Sequence, residues 1–175
     1  MKKAIIILSA ALTLASCVSM DMTPLSQGNS DSWYTTEIEL NMAVNEFYML
    51  GYWDYLIAQE QWSDNFTYRN TNRNAILEGT VNGQSYDAYT IWQQAYKLIA
   101  RANSLLDKID RAREAGMAED QVMRYEGEAY FARACKYGDL VTFFGDVPYI
   151  AHYQTIQEAE QNGRMPKDEV ISRMY

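Results

Sequence analysis

The stretch from Glu119 to Phe143 constrains the fold more than any other. It has helical period and is apolar round most of its circumference. Tyr125, Ala129, Ala132, Leu140 and Phe143 form one face, and Phe131, Cys135, Gly138 and Val141 form much of another. A helix of this kind belongs at the centre of a protein, with neighbours on several sides. Small residues at Gly127, Ala129, Ala132, Ala134 and Gly138 would let those neighbours approach closely. Gly145 marks its C-terminal end, with Pro148 shortly beyond.

A second long helix precedes it. From about Tyr86 the residues Tyr89, Trp92, Tyr96, Ile99, Asn103, Leu106 and Ile109 recur on one stripe. Arg111 and Arg113 lie near its end, where cations complement the helix dipole, and Gly116 stops it. Under a shift of about 34 residues, the tetratricopeptide period, Ala95 and Tyr96 fall on Ala129 and Tyr130, and Leu106 falls on Leu140. Trp92 and Asn103 do not match under that shift, so the repeat signal is partial. It points to antiparallel helix pairs. Upstream, Thr36 and Glu39 fit a capping box, and Leu40, Val44, Phe47 and Leu50 follow at helical spacing, which predicts a helix over about 37–57. Pro166 and Lys167 open a fourth helix that the sequence cuts off at Tyr175. Between the first two helices, Ser63 to Ser85 is rich in Asn and Gly and reads as one long loop. Its aromatic residues argue against plain disorder, because disordered segments are aromatic-poor. The fold class expected is all-α, a tetratricopeptide-like helical bundle.

The formal net charge of −8 excludes nucleic acid as a partner, because an acidic surface does not hold a phosphate backbone. The chain has one histidine, His152, and two cysteines, Cys17 and Cys135. That composition argues against a metal site built from His and Cys clusters, and against a Ser-His-Asp triad unless His152 supplies it. No metal, cofactor or catalytic residue is expected. Fourteen tyrosines, four tryptophans and five phenylalanines suit either helix cores or stacking surfaces for sugars and partners.

The N-terminus reads as an export signal. Lys2 and Lys3 precede an apolar run from Ala4 to Leu14, too short to span a bilayer. The following Leu-Ala-Ser-Cys, ending at Cys17, resembles the lipobox of bacterial lipoproteins. That resemblance implies cleavage before Cys17 and acylation of its thiol, and several acyl chains make a stable bilayer anchor. The expected organisation is a signal peptide over 1–16, a polar tether over 17–35 and a helical domain over 36–175. Cys135 is then left without a disulfide partner.

Three stretches carry a more specific resemblance: "PLSQGNSDSWYTTEIELNMAVNEFY" after the lipobox, "IWQQAYKLIARANSLLDKID" over 91–110, and "EGEAYFARACKYGDLVTFFGDVPYI" over 126–150. In this order they resemble the N-terminal part of a SusD/RagB-type protein of the Bacteroidetes outer membrane. The matches include Trp92, Ile99, Asn103, Leu105 and Leu106, then Glu128, Ala129, Phe131, Arg133, Tyr137 and the Phe-Gly-Asp-Val-Pro run from Phe144 to Pro148. Read as scaffold, Asn103 is a buried residue bonding to backbone carbonyls, Glu128 and Arg133 satisfy each other or a helix end, and Cys135 is a small buried apolar residue.

The resemblance implies a lipid-anchored protein in the cell outer membrane, facing outside. It implies capture of oligosaccharides, or in some members peptides, and delivery to a SusC-like TonB-dependent transporter, without enzyme activity. Members of the family are longer, so the resemblance also implies a chain incomplete at its C-terminus. The ligand contacts expected lie in "QEQWSDNFTYRNTNR" over 59–73, where Trp62, Asp64, Tyr68, Arg69 and Arg73 combine flat aromatics, a carboxylate and guanidinium groups. Sugars need that mixture of C–H stacking and charged hydrogen-bonding groups. Trp62 also has a reading as a core plug, and Asp64 as a turn cap. Two other functions compete: a helical adaptor that binds only protein, and a surface glycoside hydrolase using carboxylates such as Asp64 and Asp87, which would have to stand about 5–10 Å apart.

Overall fold

The computed structural model describes residues 33–53, 62–63 and 75–174. Tyr34–Tyr175 forms one compact unit. Its helices are α1 (Glu37–Phe47), a 3-10 turn (Leu50–Tyr52), α2 (Ala75–Glu78), α3 (Tyr86–Leu106), α4 (Asp110–Glu114), α5 (Glu119–Phe144), α6 (Ile156–Ala159) and α7 (Lys167–Met174). The all-α expectation is met. The only strand-like feature among the described residues is a single antiparallel bridge between Val147 and Met165.

Helices α3 and α5 make the main packing pair. Contacts of Trp92 with Phe144 and of Asn103 with Arg133 require them to run antiparallel, and Arg113 of α4 continues the register onto Glu126. Helix α1 packs on both, and α7 packs on α5. Two apolar clusters result. One joins Leu40, Val44 and Phe47 of α1 to Leu98, Ala102 and Leu105 of α3 and to Val122, Tyr125 and Ala129 of α5. The other joins Ala95 and Ile99 of α3 to Tyr137 and Leu140 of α5, with Val147 and Val170. Each fully buried Leu, Ile or Val contributes about 1.5–3 kcal/mol relative to exposure.

Several expectations need correction. Helix α1 ends at Phe47 and not near Ile57. Tyr48 leaves the helix at φ −92°, ψ 5°, the chain tightens into the 3-10 turn, and the Trp53 indole donates to the freed Phe47 carbonyl at 3.0 Å. Residues 54–57 of the expected helix lie outside the described residues. The long loop contains one helical turn, α2. The second helix ends at Leu106 with Asp107 as its C-cap, whose carboxylate accepts the Tyr153 amide at 2.7 Å, and α4 follows as a separate turn. Gly116 ends α4 at φ +87° and Gly145 ends α5 at φ +70°, conformations that side chains beyond glycine rarely adopt. Helix α6 carries a second capping box, Thr155 with Glu158, that the periodicity does not reveal.

The faces differ too. On α3 the buried residues are Ile91, Ala95, Leu98, Ile99, Ala102, Asn103 and Leu105, while Tyr89 is 53 % exposed. On α5, Val122, Tyr125, Ala129, Ala132, Lys136, Tyr137 and Leu140 are buried, but Phe131 is 67 % exposed, so this helix is not apolar-packed all round. Ala129 and Ala132 do face neighbours, whereas a Cβ placed on Gly127 or Gly138 would meet nothing within 4 Å.

Candidate ligand face

The scaffold is tied together by polar groups that hydropathy cannot show. Asn103 is fully buried; its Nδ2 donates to the carbonyls of Ile150 (2.9 Å) and His152 (3.2 Å), in line with the scaffold reading. Its Oδ1 accepts from Arg133 (2.8 Å), which also donates to the Ala151 carbonyl (3.0 Å). Arg133 and Glu128 therefore do not satisfy each other: Glu128 pairs with Arg124 at 3.3 Å. The Tyr137 hydroxyl accepts from the Ile150 amide (2.6 Å) and donates to its carbonyl (3.1 Å), and burial pushes its pKa up. These bonds lock the segment after Pro148 across α3 and α5. His152 sits on the outside of this lock, with Nδ1 3.0 Å from Asp107. Cys135 is half-buried, and burial raises its thiol pKa, which suits a structural residue better than a reactive one.

Lys136 is the unexpected core residue, 1 % exposed. Its Nζ donates to the Tyr52 carbonyl (2.7 Å) and to Asp139 (3.1 Å), and stands 3.5 Å from the Trp53 ring centroid. Burial lowers its pKa, against the pull of Asp139. It clamps α5 to Tyr52 and Trp53, a few residues before the stretch that the sequence singles out for ligand contact. A lysine mid-helix carries no sequence signal of burial, so sequence reasoning misses this role.

Of the predicted ligand residues, Trp62 alone falls among the described residues. It is half-buried, with its ring edge-on to Phe143 near the C-terminal end of α5 (centroids 5.8 Å, 86°). Its Nε1 is buried and has no hydrogen-bond partner among the described residues. Asp64, Tyr68, Arg69 and Arg73 lie outside the described residues, as does Cys17. Phe143 leads on to Phe144, and Phe144 stands edge-on to Trp92 (5.1 Å, 88°), which in turn packs on Tyr96. A run of rings therefore joins Trp62 to the N-terminal half of α3. Beside that run lies an open cleft of about 260 Å³ lined by Gly83, Ala88, Tyr89, Trp92, Phe144 and Arg164. The sequence pattern places Trp92 and Tyr89 on a core stripe and does not single out Arg164. The aromatic richness of this end is its one available signal. Among the described residues no group of His, Cys, Asp and Glu is placed to hold a metal ion, and no helix is long and apolar enough to cross a membrane.

A family model for SusD-like proteins, described as starch-binding and associating with the outer membrane, matches residues 27–174. SusD-like protein P2 of Formosa agariphila is 27 % identical over 181 residues, covering 91 % of this chain and 33 % of that protein. A SusD-like protein of Bacteroides ovatus is 22 % identical over 160 residues, covering 88 % of this chain and 29 % of its own length. The chain thus spans about a third of the length of these relatives. Among solved structures, a SusD-like carbohydrate-binding protein from Bacteroides fragilis superposes with a TM-score of 0.69 at 22 % identity, over 81 % of this chain and 30 % of that one. A second SusD-like protein from the same species gives 0.64 at 20 %, over 82 % and 29 %. With the fold shared and the family's pattern running from residue 27 to residue 174, the chain belongs to the SusD-like family.

Proposed function

We propose that this chain is the N-terminal helical part of an outer-membrane lipoprotein that captures glycans at the cell surface and passes them to a SusC-like TonB-dependent transporter. In this reading the signal over 1–16 is removed, Cys17 carries the lipid, residues 17–35 form the tether and 36–175 the helical domain. Trp62, Asp64, Tyr68, Arg69 and Arg73 contact the sugar, which is held and not cut. The observation that carries the reading is the family match over residues 27–174, a family described as starch-binding. The aromatic end supports it, because the Trp62 ring is held edge-on against Phe143 of α5, the helix paired with α3. Rings fixed in this way stack on sugar faces at little cost in ordering.

The test is retention of the protein on immobilised glycans, with Trp62→Ala and Asp64→Ala combined in one variant. Loss of retention in a variant with unchanged circular dichroism supports the loop; full retention removes it from the site. A protein-only adaptor is the second reading. The outer face of α1 favours it, because Ile38 and Met42 are exposed there one turn apart, with Met49 exposed just beyond the helix end. Co-purification with a transporter and no glycan retention would select that reading instead.

A further inference from the structure

We infer that the cleft between the start of α3 and Arg164 is a separate sugar subsite that takes an acidic sugar, one bearing a carboxylate or a sulfate. The inference rests on the glycan-capture reading and adds to it a place and a ligand chemistry.

The walls are aromatic and fixed. Phe144 and Tyr96 hold the Trp92 ring between them, and the Tyr96 hydroxyl donates to the Pro148 carbonyl at 2.7 Å. Tyr89 is mostly exposed, and its hydroxyl accepts from Gln93. Gly83 leaves the mouth open, since a Cβ there would meet nothing within 4 Å. A volume of about 260 Å³ suits one pyranose ring and falls below the range of pockets for drug-sized ligands.

The charge selects among sugars. Arg101, Arg113, Arg124 and Arg173 each pair with a carboxylate at 2.7–3.3 Å. Arg164 has no carboxylate partner among the described residues, in a protein of net charge −8. It lies over the Trp92 ring at 5.8 Å and makes one weak bond, from NH1 to the Asp146 carbonyl at 3.3 Å. The remaining N–H groups form the planar fork that matches a carboxylate or sulfate. The nearby acids do not take that place. The Asp146 carboxylate accepts the Lys167 amide at 2.9 Å. Asp87 lies roughly 150° round α3 from the Ala88–Tyr89–Trp92 face, at about 100° per residue.

The test is titration calorimetry of the purified protein with trigalacturonate, its fully methyl-esterified form and a sulfated galactan oligosaccharide. The expected result is at least tenfold tighter binding of one or both acidic probes than of the neutral ester. Preference for the first alone assigns a carboxylate, and preference for the second alone a sulfate. Arg164→Gln should abolish the preference, bringing the acidic probes down to the affinity of the ester; Arg164→Lys, which keeps charge and loses the fork, should keep part of it. Tyr89→Ala should weaken every probe. Equal binding of acid and ester, or a preference surviving in Arg164→Gln, overturns the assignment. If neutral glycan is still retained through the Trp62 loop, the cleft assignment falls alone; if the protein binds no glycan of any kind, both readings fall together.

Discussion

Replacing Asn103 by leucine, close to it in size, tests the polar lock directly. The substitution removes two neutral hydrogen bonds, to Ile150 and His152, and one to a guanidinium, from Arg133. The Ile150 carbonyl keeps the Tyr137 hydroxyl, and Arg133 keeps the Ala151 carbonyl, so neither is fully stranded. With neutral bonds worth about 1 kcal/mol and charged ones about 1.5–3, the net loss after these remaining partners is about 2–3 kcal/mol. At about 2–4 °C per kcal/mol for a domain near this size, the midpoint temperature should fall by roughly 4–12 °C. Urea unfolding followed by circular dichroism reads the free energy, and an unchanged slope shows that two-state behaviour survives. Asn45→Ala, on the exposed face of α1, is the control and should stay within about 0.5 kcal/mol. A leucine variant as stable as that control would refute the assignment of the lock to Asn103.

Other outcomes follow from the same contacts. Lys136→Ala removes the donor to the Tyr52 carbonyl together with its packed stem, and should cost about 2–4 kcal/mol in urea unfolding; Lys136→Met keeps the stem and should recover part of this. Equal stability of all three proteins would contradict the clamp. Burial pushes the Glu39 pKa up, but the amides and hydroxyls of Thr35 and Thr36 outweigh that and hold it below the usual value. Its stabilising contribution is therefore complete above the ordinary carboxylate pKa of about 4.3 and is lost as pH falls through the lower folded value. Glu39→Gln should flatten that acid limb of the stability profile, and an unchanged limb would count against it. Gly145→Ala, at φ +70°, should destabilise by about 1–3 kcal/mol even though its Cβ meets nothing, while Gly127→Ala in the open face of α5 should stabilise by up to about 1 kcal/mol. Opposite signs in thermal melts would refute the backbone argument.

The helix starts at Tyr86 and Glu119 were legible because the period and the preceding Gly83 and Gly116 agree there, and the α1 capping box was legible from Thr36 and Glu39 alone. The buried face of α3 was not. It contacts α1 on one side and the second cluster on another, so its apolar residues spread over two faces and a single stripe averages them wrongly. Phe131 and Tyr89 misled for the opposite reason: large apolar rings signal burial, and here both are exposed. Lys136 was invisible because the same residue type normally marks a solvated face. In the candidate site, the sequence picked out Trp62 by its aromatic and charged neighbours. Arg164 gave no signal, since what distinguishes it is its place over the Trp92 ring at an open cleft with one weak hydrogen bond, a property of three-dimensional placement.

The central claim is that this protein holds glycan without cutting it. The most direct measurement is incubation of the purified protein with soluble starch and a panel of oligosaccharides, following both retention on the glycan and release of reducing ends. The account predicts retention of at least one glycan, weakened in the Trp62/Asp64 double variant, with no reducing ends above the protein-free control. No retention of any glycan, or steady release of reducing sugar, would contradict it.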